Sequence, residues 1–340
     1  MRYAFVLNPA AQNGRAGRHR GALEAALRAE GVAYTLRETE APGHATALAR
    51  EAAAGADVVV AVGGDGTIQE VARGVYGTDA LMGVLPLGTG NDFAHAVGMP
   101  DDLGEAVRAL LRAEPHAVDV GRARWTEPGD EPGRGAREVL FTNCLGVGFD
   151  ALVARNAHRF KVLGGRAAYH AAVFRTLWSW RQPEVEVTAS MEEVETTDHE
   201  PRTTDEGSVL VRDPASVVRP PSAVVHRGRF LLVEIGNGFS VGGGFLLTPE
   251  ARVDDGLLDV CVIARASKRR IVQLLPSAFT GAHVHAPEVT MHRARRVTLR
   301  SAAPLPVHAD GEVLTADART LDVTVLPGAL RVLAPHLRGA

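Results

Sequence analysis

The chain has 340 residues, enough for two domains at about 150 residues each. Its 37 basic and 40 acidic residues leave a net charge of −3, which excludes a polycation built for nucleic acid. Hydrophobic residues at 46% exclude global disorder, and the two cysteines, Cys144 and Cys261, lack the spacing of a CxxC zinc site or a disulfide framework.

The first third alternates strand and helix signals. Tyr3 to Leu7 is a short apolar run that ends in Asn-Pro and does not read as a signal peptide. Helix periodicity follows over Arg20 to Glu30, a second strand over Val32 to Leu36, and a helix over Ala45 to Ala54. Asp57 to Val62 is apolar on both faces, as a strand buried inside a parallel sheet requires. A helix at Ile68 to Val75, a strand at Ala80 to Leu87 and a helix at Leu103 to Ala113 complete the pattern. It predicts an open parallel α/β sheet over residues 1–121.

From Val118 onward β-rich segments dominate, at 140–145, 184–189, 230–236, 257–263, 297–299 and 321–325. Helices are expected only near Gly165 to Trp180 and Arg269 to Phe279. Residues 122–334 therefore read as an antiparallel, sandwich-like β domain, with a charged loop at 124–138, a polar insertion at 190–228 and a tail, 335–340, free to return to the first domain. Nine acidic residues against one basic fall between Glu184 and Glu206, so the remainder of the chain is mildly basic. That balance suits an anionic membrane surface, although a solvated acidic loop explains it as well. The uncharged stretch Ile235 to Pro249 is too short for a bilayer and is interrupted by five glycines. A cytoplasmic protein with peripheral membrane contact is expected, and unpaired edge strands leave room for a homodimer.

Only Lys161 and Lys268 are lysines, and neither lies in a GxxxxGK[ST] stretch, so a Walker-type loop is excluded. Any nucleotide phosphate must be met by arginines, backbone N–H groups and a metal. Gly63-Gly64-Asp65-Gly66-Thr67 lies between the DVVVAV strand and a helix, where free N–H groups and the dipole attract phosphate. A carboxylate at that position opposes phosphate unless it holds Mg²⁺ or orients water. A second loop, Gly88-Thr89-Gly90-Asn91-Asp92, follows the next strand, and a third polar turn, Asn8-Pro9 to Arg18, follows the first. Arg15 and Arg18 are candidates for the missing lysine. Ligands of open α/β sheets bind where such loops cluster.

These motifs resemble the catalytic domain of diacylglycerol kinases, a family that includes sphingosine and ceramide kinases and soluble bacterial lipid kinases. The likeness continues through Asn143 to Asp150, Gly236-Asn237, Gly242 to Gly244, Pro249 to Asp259 and His308 to Glu312. The resemblance implies an ATP- and Mg²⁺-dependent lipid kinase with its active site between an ATP-binding and a lipid-binding domain. It assigns ATP contacts to Asn8, Pro9, Ala10, Ala11, Gln12, Arg18 and Thr39, to the run Gly64, Asp65, Gly66, Thr67, Ile68, Gln69 and Glu70, and to Thr89. Asp65 and Asp92 join the Mg²⁺–ATP network, and Asp310 or Glu312 accepts the proton of a lipid hydroxyl, most simply that of diacylglycerol. A structural Mg²⁺ is implied at the Asp255 carboxylate and the carbonyls of Arg252 and Leu257.

Other readings stay open from the residues alone. Asp310-Gly311 is equally a hairpin turn, Arg252 to Leu257 a charged turn, and the aromatic run 167–180 a buried helix face rather than a membrane contact. GGDG loops also occur in kinases of soluble substrates, such as NAD kinases and sugar-phosphate kinases, and a non-catalytic lipid or nucleotide sensor would keep the same fold.

Overall fold

The computed structural model describes residues 1–11, 19–130, 136–157, 165–192 and 223–338, with only the backbone given for 157 and 165–170. The expected contacts of Gln12 and Arg18, the neighbouring Arg15 and most of the polar insertion lie outside these residues.

Four strands, β1 (Tyr3–Leu7), β2 (Tyr34–Glu38), β3 (Val58–Gly63) and β4 (Leu81–Pro86), pair in parallel in the order β2-β1-β3-β4. β3 and β4 are buried along their whole length, as their unbroken apolar sequences require. Helices α1 (Arg20–Ala29), α2 (His44–Ala53), α3 (Asp65–Val75), the short α4 (Asp92–Ala96) and α5 (Leu103–Arg112) follow in chain order. Leu23, Leu27, Ile68, Leu110 and Phe5 are fully buried in one core, each stabilising it by roughly 1.5–3 kcal/mol. The Asp102 side chain caps α5 by accepting from the Glu105 amide at 2.9 Å.

The remaining strands are β5 (Glu114–Thr126), β6 (Arg137–Phe141), β7 (Cys144–Gly148), β8 (Glu184–Ser190), β9 (Val224–Gly236), β10 (Leu258–Ala264), β11 (Val289–Ala294), β12 (Arg296–Ala309) and β13 (Glu312–Ala334). Helices α6 (Phe149–Ala157) and α7 (Gly165–Ser179) precede β8, and α8 (Lys268–Ala278) follows β10. β12 and β9 bend so that each pairs with both β7 and β8, closing a ring around a second core.

The parallel sheet is not the independent open sheet that alternation predicts. β13 leaves the second core, forms a parallel bridge to β4 at Val332 and Met82, and joins all the strands into one 13-stranded sheet. Leu326, Leu330, Val332, Leu333 and Leu337 belong to the first core, so the chain returns before residue 335. The reason is apolar sequence: LPGALRVLAPHL continues β13 with side chains that the first core buries. Among the described residues no helix is long and apolar enough to cross a membrane.

Candidate active site

The loops after β1, β2, β3 and β4 meet at the carboxyl ends of the parallel strands and enclose a cavity of ≈450 Å³. That volume falls within the roughly 300–1,000 Å³ of small-molecule sites. Asn8, Pro9, Ala10, Ala11, Thr39, Gly64, Asp65, Gly66, Thr67, Glu70 and Thr89, all expected at the nucleotide, line it. Ile68 and Gln69 do not: Ile68 packs in the core and the Gln69 side chain is fully buried. Periodicity explains this, because α3 begins at Asp65 and its fourth and fifth residues point under the helix towards the sheet. Glu70 lines the wall, but its carboxylate is already held by the amides of Gly43 at 2.8 Å and Ala45 at 3.0 Å, where it caps α2.

The two glycine loops touch backbone to backbone. A Cβ at Gly88 would lie 2.4 Å from Gly64 Cα, so nothing larger than glycine fits without parting the loops. Asn91, in the left-handed region at φ 56°, ties them together: its amide donates to Asp65 Oδ2 at 2.9 Å while its Oδ1 accepts from the Gly88 amide at 2.8 Å. Asn8 Nδ2 donates to Thr67 Oγ1 at 3.0 Å and joins the first loop to the pair. Within α3 the first paired amides are those of Thr67 and Ile68, both on Gly64 O, which leaves the Asp65 and Gly66 amides at the cavity end of the helix.

Three carboxylates accumulate where the two domains meet. Burial, then the charges of Asp92 and Asp310, push Asp65 up to about 7, against the opposing backbone hydrogen bonds of Asn91 and Asp92. Asp65 Oδ1 is buried and has no hydrogen-bond partner among the described residues. An orphaned hard oxygen beside a helix N-terminus fits a Mg²⁺ ion escorting a nucleotide. Asp92 reaches across the seam, where its Oδ1 accepts from Ser240 Oγ at 2.7 Å and its Oδ2 from the Gly243 amide at 3.1 Å.

The β12–β13 connection is the tight hairpin that Asp-Gly suggests, with both residues at positive φ, 47° and 82°. Asp310 is not a free base. Its Oδ1 accepts from the amides of Asn143 at 3.0 Å and Cys144 at 2.8 Å, and its Oδ2 from the amide and hydroxyl of Thr142 at 2.9 and 3.2 Å. Burial raises its pKa and these donors lower it, with burial the larger effect. Glu312, by contrast, is exposed, and its ion pair with Arg73 of α3 is loose at 3.8 Å.

The acidic turn at 252–257 groups hard donors as expected but spends them internally. Asp255 Oδ1 accepts from the Leu257 amide at 3.0 Å, its Oδ2 is paired with Arg293, and the Arg252 side chain is paired with Asp254. A structural cation fits this turn poorly while Arg293 neutralises Asp255. Asp119, not singled out by its sequence, anchors the turn through the Gly256 and Gly328 amides, both at 2.7 Å. Thr142 and Ser240 were equally silent, because their partners Asp310 and Asp92 lie 168 and 148 residues away.

Residues 2–123 match the diacylglycerol kinase catalytic domain, and residues 143–334 match the YegS C-terminal NAD kinase beta sandwich-like domain. A "Probable lipid kinase YegS-like" protein of Pseudomonas aeruginosa is 33% identical over 319 residues, covering 92% of this chain and 89% of that one. The chain belongs to the diacylglycerol kinase and YegS-like lipid kinase family. A "Diacylglycerol kinase" of Mycobacterium tuberculosis is 29% identical over 290 residues, 85% of this chain and 80% of its own length. In three dimensions the chain is similar to a diacylglycerol kinase of Bacillus anthracis, with a TM-score of 0.65, 18% identity and coverage of 98% and 96%. The fold likeness extends to a yeast NADH kinase with a TM-score of 0.50, 9% identity and coverage of 98% and 83%. In this lipid kinase family member the end of the second matched region, from Leu326 to Ala334, packs in the first core, and the carboxylates Asp65, Asp92 and Asp310 lie close enough to interact.

Proposed function

We propose that the protein is an ATP- and Mg²⁺-dependent lipid kinase that transfers the γ-phosphoryl group of ATP to the hydroxyl of a membrane lipid, diacylglycerol being the acceptor expected. The observation that carries this reading is the ≈450 Å³ cavity walled by Gly64 to Thr67, Gly88 and Thr89, with an orphaned Asp65 oxygen at its edge. Bound Mg²⁺ would neutralise phosphate charge, and the orphaned Asp65 oxygen supports Asp65 as its ligand. Asp92 fixes the loop from which Asn91 supports Asp65.

Glu312 is the better base. Asp310 spends its lone pairs on four donors and shapes the hairpin, whereas Glu312 keeps an exposed carboxylate on the next strand. In the reaction the lipid oxygen forms a bond to the γ-phosphorus, the bridging P–O bond breaks to release ADP, and the hydroxyl proton passes to Glu312.

The acceptor's class is supported by the outer surface of the second domain. Leu177 of α7 is buried, but Phe174 and Trp178, four residues apart, are 56% and 74% exposed. Trp178 lies under Lys268 Nζ at 4.7 Å, and Val272 of α8 adds another exposed apolar side chain nearby in sequence. Aromatic side chains flanked by cations suit an anionic bilayer surface. The aromatic run thus divides, one side packing the core and the other supporting peripheral attachment; Tyr169 lies outside the described side chains.

Transfer of ³²P from γ-labelled ATP into mixed micelles containing diacylglycerol, followed by mass spectrometry of the phosphorylated lipid, tests the reading. Label in phosphatidic acid is expected. Label in NAD or a sugar phosphate with none in any lipid overturns it.

A further inference from the structure

Strand register brings together a second polar centre that the phosphoryl-transfer reading does not use. Glu234 on β9 and His308 on β12 both pair with Gly146 on β7, so the three stand side by side on the same face of adjacent strands. Asp150, in the first turn of α6, closes over the row. Gly146 supplies the space: a Cβ there would lie 1.7 Å from Asp150 Oδ2 and 2.3 Å from His308 Nε2. One donor atom from each of Asp150, Glu234 and His308 lies within 4.8 Å of the others, and all three residues are buried.

Two carboxyls of the centre share one imidazole. His308 Nε2 is 2.8 Å from Asp150 Oδ2, and the Glu234 carboxyl stands against Asp150 and the Cys144 thiol. Glu234 is fully buried. Two fully buried carboxyls side by side with one imidazole need a shared proton or a cation between them. Two softer groups extend the row: Cys261 pairs with Glu234 in register, and the Cys144 thiol lies against the Glu234 carboxyl.

We propose that Asp150, Glu234 and His308 form a binding site for a divalent first-row transition metal ion of the Zn²⁺ or Mn²⁺ class, separate from the nucleotide's Mg²⁺. One imidazole and two carboxylates suit those ions, whereas Mg²⁺ prefers oxygen alone and retains its waters. Donor–metal distances near 2.1 Å need donor atoms roughly 3–4 Å apart, so the cluster closes only slightly around the ion. An apolar cavity of ≈60 Å³ between β9, β10 and the flanking helices has Asp150 in its lining. His308 also reaches the hairpin, its Nδ1 accepting from the Gly311 amide at 3.3 Å.

The test uses the full chain stripped with a chelator and titrated calorimetrically with ZnCl₂, MnCl₂ or MgCl₂ alone, with CoCl₂ as an optical probe. The expected result is one equivalent of transition metal that raises Tm, and intense visible cobalt bands from a site of low coordination number. Millimolar Mg²⁺ does not compete, and Asp65→Asn leaves the equivalent in place. Glu234→Gln or Asp150→Asn lowers affinity by about 100-fold or more, at or beyond the effect of removing a supporting residue around a metal. His226→Ala, which removes the separate His226–His292 pair with ring nitrogens 2.6 Å apart, leaves binding intact. No transition-metal equivalent in the wild type, or an equivalent lost with His226 and kept in both carboxylate variants, overturns the proposal. The wild-type cobalt spectrum decides the matter if a variant fails to fold, and none of these results depends on lipid phosphorylation.

Discussion

Gly66 separates helix stability from nucleotide binding. It is exposed in the first turn of α3, it lines the cavity, and a Cβ added there meets nothing within 4 Å. Its φ lies outside the left-handed range, so Gly66→Ala carries no backbone strain. Alanine should stabilise the helix by about 0.5–1 kcal/mol, a rise in Tm of roughly 1–4 °C. If phosphate rests on the amides of this turn, the same methyl group stands between them and the ligand. Crowding of one methyl group costs about 1–3 kcal/mol, which weakens ATP binding roughly 5- to 150-fold. Gly21→Ala in α1 is the control, with open space at the Cβ and no place in the cavity wall; it should gain stability and bind ATP normally. Thermal melts and calorimetric titration with Mg²⁺–ATP measure both quantities. Unchanged affinity in Gly66→Ala refutes the placement of phosphate at the α3 terminus.

Three further outcomes are expected. Gly88→Ala forces its Cβ to within 2.4 Å of Gly64 Cα and 2.5 Å of Asn91 Oδ1, so urea melts should show a loss of about 1–3 kcal/mol together with weakened ATP binding. Glu312→Gln should change stability by less than about 0.5 kcal/mol yet slow turnover by roughly 10²–10⁴, whereas Asp310→Asn places an NH₂ among backbone donors and should cost about 3 kcal/mol or more; full activity in Glu312→Gln removes it as the base. Asp65 is raised in the fold to about 7, above the ordinary aspartate value, so its contribution to stability is fully present below about pH 4 and is lost as pH rises through 7. Tm without ligand should therefore fall across that window, flatten in Asp65→Asn, and recover with Mg²⁺–ATP, whose binding near pH 7 releases protons detectable by calorimetry in buffers of different ionisation enthalpy.

The parallel strands and their glycine loops were legible because both signals are local: an apolar run marks a strand buried on two faces, and the loop chemistry sits directly after it. β12 and β13 were not. Their sequence signals covered 297–299 and 321–325, but the strands run Arg296–Ala309 and Glu312–Ala334, since the half-exposed stretch Arg300 to Pro304 in β12 and Pro327-Gly328 in β13 interrupt the apolar pattern with residues that read as strand breakers. The site shows the same division. Asp65 and Asp92 announce themselves beside glycines, but the donors that decide whether Asp310 can act as a base come from residues 142–144, and Glu234 becomes meaningful only when β7 sets Gly146 beside it.

The way the two domains are joined constrains how the acceptor enters. β5 and β13 pair in register from Thr320–Thr126 to Ala334–Glu114, passing from the second core into the first as a two-stranded ribbon. A bulge between Leu326 and Leu330 is the one break in that register. Asp92 adds a buried polar latch to Ser240 and Gly243. Wide opening of the cleft would have to bend the ribbon and strip two hydrogen bonds from a carboxylate, each worth about 1.5–3 kcal/mol. Small adjustment at the bulge is cheaper than rotation about a loop. If the proposed lipid kinase reading holds, acceptor access would then fall to the flank carrying Phe174, Trp178 and Val272, where α7 and α8 cover the second domain.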